Sequence, residues 1–374
     1  MRDYTGKTLF VGIDVHKKTY AVTCICEKEI VKRDALKATP ERLVEYLKKY
    51  FPGAKIKTAY EAGFSGFILH RFLLKNGIEN IVVHAASIEI SARDRVKTDK
   101  RDSLKIAAQL SDGRLQAIHV PSLQREAYRE VSRTREKVAR DKRRVGTRLK
   151  SLLYRQGLIG ADDDDEVTSK WLEKVNQFEC DESVKYCIQI CISEWLFLRG
   201  KLKEIDAKLK EQALVDMELE KIYRSVPGVG PIHARVLANE LENMKHFSNE
   251  KCLFSYTGLT PSEHSSGEHK RLGHISRQGK SVLRKVLIQA AWVAIYKDPS
   301  LMVIFEKIAR TSGKKRAIVG IARRLIGQIR SCLKSNMLYR YRETKVLEFC
   351  PQTGEVSLAI NTKDFLQDGA PATL

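Results

Sequence analysis

Long apolar runs are missing from this chain, as are paired cysteines and any surplus of acidic charge. No stretch is long and apolar enough to span a bilayer, and Met1-Arg2-Asp3-Tyr4 opens no secretory signal pattern, so a soluble, cytoplasmic protein is expected. The eight cysteines are scattered. The closest, Cys24 with Cys26 and Cys187 with Cys191, match neither a zinc ribbon nor a CxxC redox pair, which predicts reduced and mostly buried thiols. Acidic residues are outnumbered: 67 Lys and Arg face 46 Asp and Glu, leaving +21 at pH 7. An excess of this size points to a polyanionic partner, with nucleic acid favoured over an anionic membrane surface. The 374 residues, 43% hydrophobic, suffice for two or three cores, and two globular domains around a helical spacer are expected.

The first domain, residues 1–120, begins with two short runs rich in β-branched and aromatic residues, Thr8–Val15 and Tyr20–Cys26, read as a strand hairpin. Pro40 to Tyr50 follows with a helical spacing of Leu43, Val44 and Leu47, then a strand over Lys57–Glu61 and a helix over Gly66–Asn76. A buried strand at Ile81–His84 and a helix over Ser103–Leu110 complete an order of two strands, room for a third, then helix, strand, helix, strand, helix. That order predicts a mixed sheet covered by helices. It places Asp14 on the first strand and Glu61 at the end of a later one. Asp99 and Asp102, three apart, share one face if their helix begins near Thr98. Four such carboxylates repel one another in water and are tolerable mainly when cations bind.

Beyond Pro121 the character changes. Gln124–Gly157 holds twelve Lys or Arg against four acids, while Val131, Val138, Val145 and Leu152 recur every seven residues, which predicts a long basic helix. Gly160-Ala161-Asp162-Asp163-Asp164-Asp165 reads as a turn and an acidic helix start. Ile188, Cys191, Trp195, Leu198, Leu202, Ile205 and Leu209 then step by three and four. Two antiparallel helices fit, and so does a dimeric coiled coil. The basic face is read as a track along a phosphate backbone in preference to a merely solvated surface.

Residues 219–340 open on Val226-Pro227-Gly228-Val229-Gly230-Pro231, which resembles the turn of a helix-hairpin-helix element, where Gly228 and Gly230 would let backbone N–H groups approach a phosphate. Next come Gly258-Leu259-Thr260-Pro261, Ser266-Gly267 and His274-Ile275-Ser276-Arg277-Gln278-Gly279. Taken with Gly12-Ile13-Asp14, Tyr60-Glu61-Ala62-Gly63, Lys97-Thr98-Asp99 with Asp102, and Pro227–Gly230, they make the chain similar to the insertion-sequence-110 family of DEDD transposases, also described as bridge-RNA-guided recombinases. The likeness runs from Gly12 to about Lys334.

The resemblance implies a RuvC-like, ribonuclease-H-type first domain whose Asp14, Glu61, Asp99 and Asp102 bind Mg²⁺, two ions per site. A basic coiled-coil spacer over 121–218 and a mainly helical transposase domain over 219–340 would follow. It further implies Ser266 as a nucleophile brought to the tetrad between protomers, with dimers assembling into a tetramer. Double-stranded donor and target DNA and a structured non-coding RNA are the implied partners, in a bacterial or archaeal cytoplasm beside the nucleoid. Lys270, Arg271, Arg277, Lys280, Arg284 and Lys285 form a basic cluster around the serine loop, suited to a scissile phosphate or its neighbouring backbone. His264, His269 and His274, five apart and with no cysteine beside them, do not read as zinc ligands. The tail, 341–374, matches no motif of the family; its Val346–Phe349 and Glu355–Ile360 runs are read as a hairpin. Two other functions are weighed. A junction endonuclease using water would not need the Ser266 region, and a non-enzymatic nucleic-acid-binding protein would not need all four carboxylates.

Overall fold

The computed structural model describes residues 3–89, 98–160, 162–163, 165–263, 272–276 and 278–341, with the backbone of 345–349 and 356–360. The chain divides into two compact units, Met1–Ser122 and Leu123–Leu374. The regions read in the sequence as 121–218, 219–340 and 341–374 thus fall almost entirely within the second unit. A mixed sheet combined with mostly helical structure is the architecture. Among the described residues no helix is long and apolar enough to cross a membrane.

In the first unit, β1 (Thr8–Val15), β2 (Thr19–Cys26) and β3 (Glu29–Lys37) form an antiparallel meander. α1 (Pro40–Tyr50), β4 (Lys55–Glu61), α2 (Ile68–Lys75) and β5 (Glu79–Val83) follow, and both later strands run parallel to β1. The five strands lie in the order β3-β2-β1-β4-β5. Strand alternation decides the two faces. Leu9, Val11 and Ile13 of β1 are fully buried in a core shared with Leu43, Val44, Tyr46 and Leu47 of α1 and with Leu69 and Leu73 of α2. Pro40 starts α1 with its ring at a position that needs no amide donor. The intervening β1 residues, Phe10, Gly12 and Asp14, face the other way, toward α3 (Asp99–Ser111), which packs across β1, β2 and β4. β3 is an edge strand rich in charge, with Lys32, Arg33, Asp34 and Lys37 along it. Such a composition protects an open edge but mutes the sequence signal of a strand.

In the second unit α4 (Leu123–Arg155) runs antiparallel to α6 (Glu182–Val215), with the short α5 (Ser169–Asn176) between them in sequence. Val145, Leu149 and Leu153 of α4 pack with Trp171, Leu172 and Val175 of α5 and with Ile188, Cys191 and Trp195 of α6. The seven-residue stripe is therefore apolar core only toward the carboxyl end of α4. Nearer the amino end the buried α4 residues are Arg129 and Ser132. The acidic run does not start a helix: Asp163 accepts the Gly160 amide in a turn, and α5 begins only where Thr168 caps it by accepting the Trp171 amide at 3.2 Å. A side chain three residues beyond the acidic run thus takes the place of helix start.

α7 (Met217–Ser225), α8 (Pro231–Leu241) and α9 (Glu250–Thr257) lead to a small antiparallel pair, β6 (Pro261–Glu263) and β7 (Leu272–Ile275). α10 (Ser281–Lys297), α11 (Pro299–Ser312) and α12 (Lys314–Ser335) then enclose the largest core, built on Leu237, Leu253, Leu287, Ala290, Leu301, Ile321 and Leu325. The tail forms the expected antiparallel hairpin, β8 (Lys345–Phe349) with β9 (Val356–Ile360).

Candidate metal centre

Asp14 is the last residue but one of β1, on the face covered by α3, and Asp99 and Asp102 lie in the first turn of α3. What brings them together is the close approach of helix and strand at Gly12. A Cβ built there would fall 2.1 Å from the Ser103 carbonyl oxygen and 2.3 Å from the Ala107 nitrogen, so only glycine lets α3 lie this near β1. The contact is fixed beside it by a buried hydrogen bond, 2.8 Å, between the hydroxyls of Ser103 and Thr23, which stands opposite Gly12 on β2.

His16, one residue past the end of β1, completes the cluster. Its Nε2 lies 3.1 Å from Asp14 Oδ2 and 3.3 Å from Asp99 Oδ1, and the ligand atoms of all three residues lie within 4.8 Å of one another. Burial raises the Asp14 carboxyl above its ordinary pKa; the imidazole of His16 opposes that shift, while the charges of Asp102 and Asp99 add to it. Asp102 is paired with Lys105 at 3.4 Å. Glu61 is exposed at the end of β4 and lies outside the three-residue cluster. The register that sets Gly12 beside Ala59 and Ile13 beside Tyr60 nonetheless carries Asp14 and Glu61 to the carboxyl ends of adjacent parallel strands, on one face and about 4.8 Å apart along the hydrogen-bonding direction. The carboxylate oxygens suit a hard divalent cation, and the imidazole adds a nitrogen donor of the kind first-row transition ions favour. His16 escaped the sequence reading; its signal is the Asp-x-His spacing, which puts alternate residues on one face of an extended strand.

In the second unit, Ser266, Lys270, Arg271 and Arg277 lie outside the described residues. Residues 264–271 connect β6 to β7, and the foot of that hairpin is held by two glycines in contact. A Cβ on Gly279 would meet the Gly258 nitrogen and the Tyr256 carbonyl oxygen at 2.3 Å, and Gly258 has a positive φ of 67°. Lys280 precedes α10 with its side chain partly open to solvent, and desolvation pulls its ammonium below the ordinary lysine range. Arg284 donates to the Thr257 carbonyl at 3.4 Å. Lys285, grouped by sequence with the basic loop cluster, is instead committed to Glu136 of α4 at 2.8 Å. Gly228 turns with φ 81°, its Cα seated against the Ala290 carbonyl of α10, whereas Gly230 caps α8 with open space beside it.

Part of the basic face of α4, expected as a track along a phosphate backbone, is taken up by ion pairs within the unit. Arg125 pairs with Asp216 at 2.7 Å and Arg129 with Glu242 at 3.2 Å; Arg133 pairs with the buried Glu240 at 2.8 Å and Arg135 with Asp206. At the centre lies Arg235, 1% exposed, which donates to Asp216 at 2.7 Å and stands 3.4 Å from Glu220. These arginines anchor α4 to its neighbours because a charge removed from water must meet an opposite one. Lys137, Arg140 and Arg144, further along, remain exposed.

Comparison with known proteins bears on both halves of the chain. Residues 11–156 match a family model described as a transposase of the DEDD, IS110 type, and residues 220–303 match one described as the transposase IS116/IS110/IS902 family. The transposase for insertion sequence element IS1533 of Leptospira borgpetersenii is 27% identical over 330 residues, covering 84% of this chain and 93% of its own. The transposase for insertion sequence element IS1111A of Coxiella burnetii is 22% identical over 254 residues, 65% of this chain and 68% of its own. That for IS1328 of Yersinia enterocolitica is 34% identical over 97 residues, 26% of this chain and 29% of its own.

Proposed function

Because the chain belongs to the IS110 family of transposases, we propose that it excises and integrates a mobile element by cutting and rejoining DNA strands, with Asp14, Glu61, Asp99 and Asp102 as its metal-binding tetrad and Ser266 as its nucleophile. The observation that carries the reading is the convergence of Asp14 and Asp99 on one face of the sheet, with Asp102 acting on Asp14 through its charge. The order β3-β2-β1-β4-β5 supports a RuvC-like, ribonuclease-H-type unit.

Mg²⁺ at such a site supplies Lewis acidity and positive charge where a phosphodiester gains negative charge. The chain's own residues do the rest. Gly12 and the Ser103–Thr23 hydrogen bond hold α3 so that Asp99 and Asp102 face Asp14. The Ser266 hydroxyl oxygen attacks phosphorus and gives up its proton; the bond from phosphorus to one strand end breaks, that end leaves as a protonated deoxyribose hydroxyl, and the serine–phosphate bond keeps the energy of the cut strand for rejoining. Lys270, Arg271, Arg277, Lys280 and Arg284 hold the adjoining phosphates, and Gly228 and Gly230 shape a further backbone contact. Target choice rests with a structured non-coding RNA, and dimers pair into a tetramer that supplies Ser266 to the tetrad. What supports these last features is family membership.

The test incubates the purified protein, RNA transcribed from the flanking DNA, and labelled donor and target duplexes with Mg²⁺, followed by denaturing gels with and without protease. The expected product is a protease-sensitive protein–DNA adduct absent from both Ser266→Ala and Asp14→Ala. Cleavage that survives Ser266→Ala with no adduct would identify a water-using nuclease instead.

A further inference from the structure

Resting on the tetrad reading above, we propose that His16 is a direct nitrogen ligand of the cation held there, giving the site a mixed donor set in place of an all-carboxylate one. His16 offers one atom, Nε2, to both Asp14 and Asp99, at 3.1 and 3.3 Å. A six-coordinate ion about 2.1–2.2 Å from each donor sets neighbouring donors about 3.0–3.1 Å apart. The His16–Asp14 separation of 3.1 Å has that edge length and the His16–Asp99 separation of 3.3 Å is slightly longer, and the whole set spans no more than 4.8 Å. The carboxylates approach from two elements, Asp14 from β1 and Asp99 from the first turn of α3, and the ring reaches in from the chain just past β1. Three donors of two chemical kinds, two from the end of β1 and one from α3, lie within 4.8 Å of one another.

The chemistry has a consequence for which metal is preferred. Magnesium takes oxygen ligands almost exclusively, while an imidazole favours first-row transition ions. His16 therefore raises affinity for Mn²⁺ more than for Mg²⁺, and the ratio of the two affinities is the quantity it controls. A histidine that merely bridged two carboxylates by hydrogen bonding would leave that ratio unchanged.

The experiment is pulsed electron paramagnetic resonance on the full-length protein with one equivalent of Mn²⁺, together with Mn²⁺ and Mg²⁺ titrations of wild type, His16→Gln and Asp14→Ala, each checked for folding by circular dichroism. The wild type is expected to show nitrogen modulation of the Mn²⁺ signal that His16→Gln abolishes. The same variant should weaken Mn²⁺ binding at least about tenfold and lower the Mn²⁺-to-Mg²⁺ affinity ratio. Bound Mn²⁺ without nitrogen modulation, or modulation that persists in His16→Gln, overturns the assignment of His16 while leaving the carboxylate site in place. Failure of the wild type to bind Mn²⁺, or binding indifferent to Asp14→Ala, overturns the tetrad reading and this inference with it.

Discussion

Gly12 and Ser103 are in backbone contact: a Cβ on the glycine would sit 2.1 Å from the serine carbonyl oxygen, with the Ala107 nitrogen at 2.3 Å on its other side. Neither neighbour is a flexible side-chain end that can step aside. Helix α3 lies against β1 only because this position carries no side chain, and Asp99 and Asp102 ride on that helix.

Gly12→Ala is accordingly expected to push α3 off the sheet. The cost should be about 1–3 kcal/mol of overpacking, read as a lowered denaturant midpoint. Affinity for Mn²⁺ should fall with it, since Asp14 and Asp99 no longer meet. A variant with wild-type stability and wild-type Mn²⁺ binding would show that the close approach does not position the carboxylates.

Gly279→Ala tests the foot of the β6–β7 hairpin. Its Cβ would meet backbone atoms of Tyr256 and Gly258 at 2.3 Å, so the chain at the foot of β6 and β7 must shift. Covalent adduct formation should be lost while Mn²⁺ binding in the first unit is kept, because the substitution lies entirely in the second unit. Loss of Mn²⁺ binding as well would contradict that separation.

The Arg235 cluster predicts two pH effects of opposite sign. Burial pushes Asp216 up, but hydrogen bonds and charge from Arg125 and Arg235 outweigh it and leave the carboxyl below its ordinary value. Its contribution to stability is therefore present above about pH 4 and is lost as pH falls through the depressed pKa. Asp216→Ala removes the carboxylate that Arg125 and Arg235 share, leaving Arg235 with Glu220 at 3.4 Å, and should cost about 3 kcal/mol at pH 7 by chemical unfolding. Glu220 is raised, because burial outweighs an Arg235 guanidinium already shared with Asp216. The folded chain holds that proton longer than the unfolded one, so Glu220 favours folding below about pH 4 and loses this contribution as pH rises through its folded pKa. Glu220→Gln should gain stability over wild type at pH 7 and lose the advantage near pH 4. A constant difference across that range would refute the assignment.

Much of the first unit was legible residue by residue. Apolar alternation in Thr8–Val15, the Pro-led periodicity of Pro40–Tyr50 and the paired aspartates at 99 and 102 each carry a local signal of period two or 3.6, and each appears where that signal puts it. β3 was harder to read because an edge strand satisfies solvent with the charged residues that weaken strand patterning. For α4 the sequence shows charge but not what faces it; Asp216, Glu240 and Glu242, roughly a hundred residues away, take up Arg125, Arg129 and Arg133.

Charge, the order of elements, the family motifs and the identity of the candidate carboxylates depend on local pattern or composition and can be read along the chain. That His16 joins Asp14 and Asp99, that α3 rests on Gly12, and that Arg125, Arg129, Arg133 and Arg135 of a basic helix are held in ion pairs come from packing alone. Those are distances between residues far apart in the chain or on different elements, and chain order does not encode distance until packing against a shared core removes the alternatives.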